Sequence, residues 1–134
     1  RAFLQTYFPN HPVIQSLIKG ARDEFIDTEL SIREKNKLPP YGKLASIIIS
    51  DKDEAKIISF CRALKKNIPL SKDVVVLGPA PASITKVRGR LRYRFLIKAN
   101  KGINIQKFLH LWVDNLKKPS STRMSIDIDP YYFL

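Results

Sequence analysis

The sequence predicts an α+β domain: a four-stranded antiparallel sheet with helices packed on one face. Three observations lead there. Residues 87–98 alternate with period two, so Arg88, Arg90, Arg92, Arg94 and Lys98 fall on one side and Leu91, Tyr93, Phe95 and Ile97 on the other. Successive side chains of a strand point to opposite faces, so the apolar set can bury while the bases stand on the far face. Two segments carry one and the same helical stripe: Ile57, Phe60, Cys61, Leu64 and Ile68, then Ile105, Phe108, Leu109, Trp112 and Leu116, each at i, i+3, i+4, i+7 and i+11. With strand-like runs around them the order reads βαββαβ in two similar halves, the split βαβ or ferredoxin-like arrangement.

Taken in order, Arg1 to Tyr7 reads as a short leading strand. Pro12 suits the first turn of a helix that ends at Gly20, with Val13, Ile14, Leu17 and Ile18 as its stripe. Asp23 and Glu24 favour a second helix start, with Phe25, Ile26 and Leu30 inward, running to about Lys37. Leu38-Pro39-Pro40-Tyr41-Gly42 stops it. Leu44 to Ser50 is apolar on both sides, as a central strand would be. Asp53 to Asn67 is helical. Val74 to Leu77 is a strand broken by the stiff turn Gly78-Pro79-Ala80-Pro81. The arginine strand follows, then a helix from Ile103 to Lys118, then a strand from Met124 to Asp129. The ending Tyr131-Tyr132-Phe133-Leu134 is apolar enough to pack on the domain or on a neighbour.

With 134 residues the chain is one domain with room for a core. Its charge is unusual: 24 Lys and Arg against 12 Asp and Glu give a net +12. The excess is local. From Val74 to Val113 there is no acid, but Lys86, Arg88, Arg90, Arg92, Arg94, Lys98, Lys101 and Lys107 concentrate positive potential there. Cys61 is the single cysteine, which excludes an internal disulfide and a cysteine-based zinc site and fits a reducing cytoplasm. No apolar run reaches membrane-spanning length and no signal peptide is visible. Opening on Arg1 directly into strand-like residues, the chain reads as a piece of a longer protein.

A row of guanidiniums about 7 Å apart repels itself and persists best opposite an anion. Nucleic acid is the commonest such partner, with Lys86, Arg88, Arg90, Arg92, Arg94 and Lys98 as the candidate contacts. An acidic protein surface and plain solvent are the alternatives. Tyr93 and Phe95 point away from the bases, so they serve the core and make poor stacking platforms; contact would be to backbone phosphate and weakly sequence-specific. Catalysis finds little support. His11 and His110 have no paired nucleophile. Asp127 and Asp129 share a strand face, where a solvated edge or an ion pair outweighs a Mg²⁺ site. No phosphate-binding loop occurs.

Five blocks carry a family resemblance: Gln5-Thr6-Tyr7 with Pro9-Asn10-His11-Pro12; Leu38-Pro39-Pro40-Tyr41-Gly42-Lys43-Leu44-Ala45; Leu77-Gly78-Pro79-Ala80-Pro81-Ala82; Arg88-Gly89-Arg90-Leu91-Arg92-Tyr93-Arg94; and Asp127-Ile128-Asp129-Pro130. In this order they resemble the C-terminal region of the primosomal protein N′ (PriA) family of bacterial replication-restart helicases. The resemblance implies the tail of the second helicase lobe over 1–20, a helical connector over 21–42 and the C-terminal domain, similar to a small-subunit ribosomal protein, over 43–134. It implies a non-catalytic piece of an ATP-dependent 3′→5′ DNA helicase, with ATP, Mg and zinc sites upstream and no cofactor here. Implied partners are DNA (forks, D-loops, single strands), other primosome proteins and the acidic C-terminal tail of single-stranded-DNA-binding protein. For that tail the matching positions are Gln106, with Lys101 and Lys107 beside it; Gly102 stands where the family has an arginine. A monomer in the bacterial cytoplasm is expected. The rival reading is an architectural domain whose basic face packs on the other helicase modules; a small-molecule regulatory domain is a third.

Overall fold

A computed structural model describes residues 1–130. The elements are α1 (Pro12–Lys19), α2 (Arg22–Lys35), β1 (Gly42–Asp51), α3 (Glu54–Lys66), β2 (Val74–Val87), β3 (Arg90–Asn100), α4 (Ile105–Val113) and β4 (Arg123–Ile128). The strands form one sheet in the order β2-β3-β1-β4, with every neighbouring pair antiparallel. The fold is therefore α+β with four helices and a four-stranded antiparallel sheet. The predicted leading strand is absent: residues 1–6 have no regular structure, since a lone strand without a partner leaves its backbone groups unpaired.

Local chemistry explains the helix boundaries. Pro12 opens α1, the His11 ring accepts from the Val13 N–H, and Gly20 closes it at φ 65°. The Asp53 carboxylate caps α3 through the Ala55 N–H. Asn104 caps α4 through the Lys107 N–H, which makes that helix start later than Ile103. It also stops at Val113, before Lys118; Leu116 still packs on the core from a following turn.

The core lies between the sheet and α3 and α4. Ala45, Ile47 and Ile49 from β1 and Phe95, Ile97 and Ala99 from β3 meet Ile57, Phe60, Cys61, Leu64, Ile105, Phe108, Leu109 and Trp112. Phe95 and Phe108 both meet the Trp112 ring edge-on, at 5.6 and 6.2 Å between centroids. The indole N–H donates to the Leu64 carbonyl at 2.9 Å, which ties α4 to α3. No residue of α1 or α2 is buried: Leu17, Ile18 and Ile26 of the predicted stripes are exposed.

β2 does not end at Leu77. It continues to Val87 by shifting register between Leu77 and Ala80 and again between Pro81 and Lys86. Proline cannot donate to a ladder, and an edge strand with bulges accommodates it. Gly78 sits at φ 111°, where a Cβ would lie 2.7 Å from the Arg94 carbonyl oxygen. The β2–β3 hairpin turns on Arg88 (φ 49°) and Gly89 (φ 74°), two positive-φ residues as a primed two-residue turn requires.

Candidate nucleic-acid interface

The register decides which bases share a face. Residues directly opposite one another in a ladder point to the same side. On β3, Arg92, Arg94, Leu96 and Lys98 face away from the helices, opposite Ser50, Ile48, Ser46 and Leu44 of β1. On β4, Arg123, Ser125 and Asp127 face the same way, opposite Ser50, Ile48 and Ser46. The open face thus carries one row Arg92–Ser50–Arg123, next to it Arg94–Ile48–Ser125, and then Leu96–Ser46–Asp127. Positive charge gathers at the end nearest the β2–β3 hairpin and falls off toward Asp127. Tyr93 and Phe95 lie on the helix side as expected; the Tyr93 hydroxyl donates to the Glu54 carboxylate at 2.8 Å, and that bond raises its pKa.

Several predicted contacts are placed differently. Lys86 pairs with Leu91, so its register puts it on the helix side, opposite to the arginine row; the two-residue turn at Arg88–Gly89 breaks the alternation that would have carried the row from β3 back to Lys86. Arg88 is in the hairpin turn, not in the strand. Arg90 is on the open face, but its guanidinium is committed internally: it donates to the carbonyls of Ser50 at 2.8 Å and Ser121 at 2.6 Å. Arg92, Arg94 and Lys98 are half-buried. Among the described residues the ion pairs are Arg33–Glu29 and His110–Asp114, so none of these three meets a carboxylate. Leu96 interrupts the row between Arg94 and Lys98, with exposed Leu77 and Val75 beside them on β2.

Arg90 belongs to a network that holds the loop before β4. Asp51, at the end of β1, is 2% exposed. Its carboxylate accepts from the Asp53 N–H at 3.1 Å and from the hydroxyls of Ser121 and Thr122 at 2.8 Å each. Hydrogen bonds to the charged form, that of the Asp53 N–H foremost and Thr122 next, hold its pKa far below the usual carboxylate range; burial opposes them. Lys118 donates to the Thr122 carbonyl at 2.5 Å. Residues 118–122 are thus pinned against the end of the sheet.

Sequence reasoning missed Arg123, Lys118 and this loop. The strand alternation was a usable signal for Arg123, which precedes Met124 in phase with Ser125 and Asp127. Lys118 and the serines carried none, because only the loop's fold brings them to β1.

Lys101, Gln106 and Lys107 are exposed around the start of α4. Lys101 lies in the turn after β3, and the Lys107 N–H already serves the Asn104 cap. Asp127 is exposed, and Asp129 is engaged by the Leu44 N–H at 3.4 Å. Among the described residues no three His, Cys, Asp or Glu cluster as metal ligands, and no helix is long and apolar enough to cross a membrane. The expected packing of Tyr131 to Leu134 lies outside the described residues.

Comparison with known proteins places the fold in a family. Residues 34–131 match the family described as Primosomal protein N C-terminal domain. Over 131 residues the chain is 40% identical to the replication restart protein PriA of Rickettsia conorii, covering 98% of this chain and 20% of that protein. It is 36% identical to the PriA of Synechocystis over 97% of this chain and 16% of that protein, and 28% identical to that of Bacillus subtilis over 98% and 17%. The chain spans about a fifth of the length of these relatives. It belongs to the primosomal protein N C-terminal domain family.

Proposed function

We propose that the chain is a non-catalytic, DNA- and protein-binding domain of a replication-restart helicase, and that its open sheet face contacts the phosphate backbone. One observation carries the reading: Arg92, Arg94 and Arg123 stand on one face of a rigid sheet, opposite the core, with no carboxylate paired to them among the described residues. Such cations gain by displacing counterions from phosphates and carry little sequence information. The strand order β2-β3-β1-β4 around a βαββαβ chain supports the ferredoxin-like assignment. The domain itself runs over 43–134, after a connector over 21–42 and a lobe tail over 1–20. Forks, D-loops and single strands are the DNA substrates; the ATP-dependent 3′→5′ activity, with its ATP, Mg and zinc sites, belongs upstream, in a cytoplasmic bacterial protein.

The same reading gives Lys101, Gln106 and Lys107 the tail of single-stranded-DNA-binding protein, completed by upstream residues; their exposure supports this. Arg90 is withdrawn from the contact surface, because its guanidinium serves the Ser121 loop of the same domain. The test is fork binding by the whole helicase at several salt concentrations. Arg94→Gln is expected to weaken all sequences alike and to flatten the slope of log K against log salt by about 0.9 on duplex. Unchanged affinity and slope would favour the architectural domain.

A further inference from the structure

We infer that the cleft at the β4 end of the open face is a discrete site for one phosphate group of a nucleic-acid backbone. The inference deepens the backbone-contact reading and rests on it for the class of ligand. The cleft holds about 590 Å³ and is lined by Arg92, Arg123 and Lys118 with the hydroxyls of Ser50, Ser120 and Ser125. No carboxylate lines it; Asp51 belongs to the other face, and Asp127 is one strand pair beyond Ser125.

The geometry suits a tetrahedral anion. Arg92 and Arg123 flank Ser50 across three adjacent strands. With strands about 4.8 Å apart, their Cα atoms are roughly 10 Å apart over a small residue. Two guanidiniums lining one cleft on either side of a serine suit a phosphate, to which each can offer its planar fork. Lys118 spends two donors on the carbonyls of Thr122 and Pro119, and an ammonium has three. The hydroxyls of Ser120 and Ser125 make no hydrogen bond among the described residues, and the Ser50 hydroxyl accepts from Arg90 at 3.4 Å, so its own proton is free to donate. The walls are also preorganised. The Asp51 carboxylate and the Arg90 guanidinium clamp Ser121 from both its hydroxyl and its carbonyl, so little ordering remains when a ligand arrives.

Inorganic phosphate titrated into the chain and followed residue by residue with amide NMR shifts tests the site. Saturable shifts confined to Ser50, Arg92 and Lys118–Ser125 are expected. Arg123→Gln should weaken phosphate at least tenfold, and Ser125→Glu, which sets a carboxylate in the cleft, should abolish it, while Lys65→Gln, an exposed base of α3 on the other side of the sheet, changes it less than threefold. Oligonucleotides with a 5′-phosphate and with a 5′-hydroxyl then separate the sources. Tighter binding of the phosphorylated strand that Arg123→Gln erases identifies a strand end; equal binding of both, weakened by Arg123→Gln, identifies an internal diester. Shifts spread evenly over the basic surface, or an Arg123→Gln effect under twofold, overturn the site. Loss of DNA binding in Arg94→Gln alone would then leave the broader reading standing without it.

Discussion

Truncating Trp112 to alanine tests how the sheet and the two helices are held together. The side chain is 1% exposed, its ring meets Phe95 and Phe108 edge-on, and its N–H reaches the Leu64 carbonyl. An indole buries about 200 Å², which at about 25 cal/mol per Å² is worth about 5 kcal/mol. Alanine keeps a small part of this, and neighbours relax only partly into the cavity, so a loss of about 3–5 kcal/mol is expected. The Leu64 carbonyl keeps the Asn67 N–H as a partner, so no buried acceptor is orphaned and the upper end of that range is not exceeded. For a chain of this size each kcal/mol moves Tm by about 4 °C, giving a drop of about 12–20 °C by far-UV circular dichroism. Trp112→Phe, which keeps a ring and deletes the N–H, should fall between the two. A Tm within about 3 °C of the parent for Trp112→Ala would refute the reasoning, because it would mean that the α4 stripe does not carry the core.

Two further outcomes follow from the same structure. Asp51 has its folded pKa depressed by the Asp53 N–H and the Thr122 and Ser121 hydroxyls. Its contribution is therefore present above its unfolded pKa of about 4 and is lost as pH falls below that toward the folded value. Urea midpoints should drop on acidification below about pH 4, and Asp51→Asn should lower stability at pH 7 while flattening that drop; equal pH profiles for the two proteins would refute the assignment. At Gly42 a Cβ would run into the Lys37 carbonyl, with the Ala99 carbonyl oxygen 3.1 Å away. Both obstacles are backbone, so Gly42→Ala should cost about 1–3 kcal/mol, whereas Gly102→Ala, which meets nothing within 4 Å, should leave the urea midpoint unchanged.

Much of this fold is local in origin and was legible in the chain. A period of two over Leu91–Ile97 and of 3.6 over Ile57–Leu64 and Ile105–Trp112 needs no knowledge of neighbours, because the pleat and the helical turn alone decide which side chains share a face. Pro12 sets a helix start by its fixed φ, and Gly20 and Asp53 set helix ends through bonds to residues at most four away. The basic face was legible as charge for the same reason.

Which cations act together was settled by register, which is non-local. The two-residue hairpin turn pairs Lys86 with Leu91 and so puts it on the helix side. A positive-φ turn took Arg88 out of the strand. A loop pinned by Asp51 captured Arg90. Antiparallel pairing of β1 with both β3 and β4 then set Arg123, 31 positions after Arg92 in the chain, on the other side of a single serine. The sequence by itself determined the α3 and α4 stripes, the alternation of β3 and the sign of the surface; the tertiary structure alone decided the length of β2 and the grouping Arg92–Ser50–Arg123. A strand's alternation specifies two faces, but the partner across each face comes from hydrogen bonds between segments far apart in the chain.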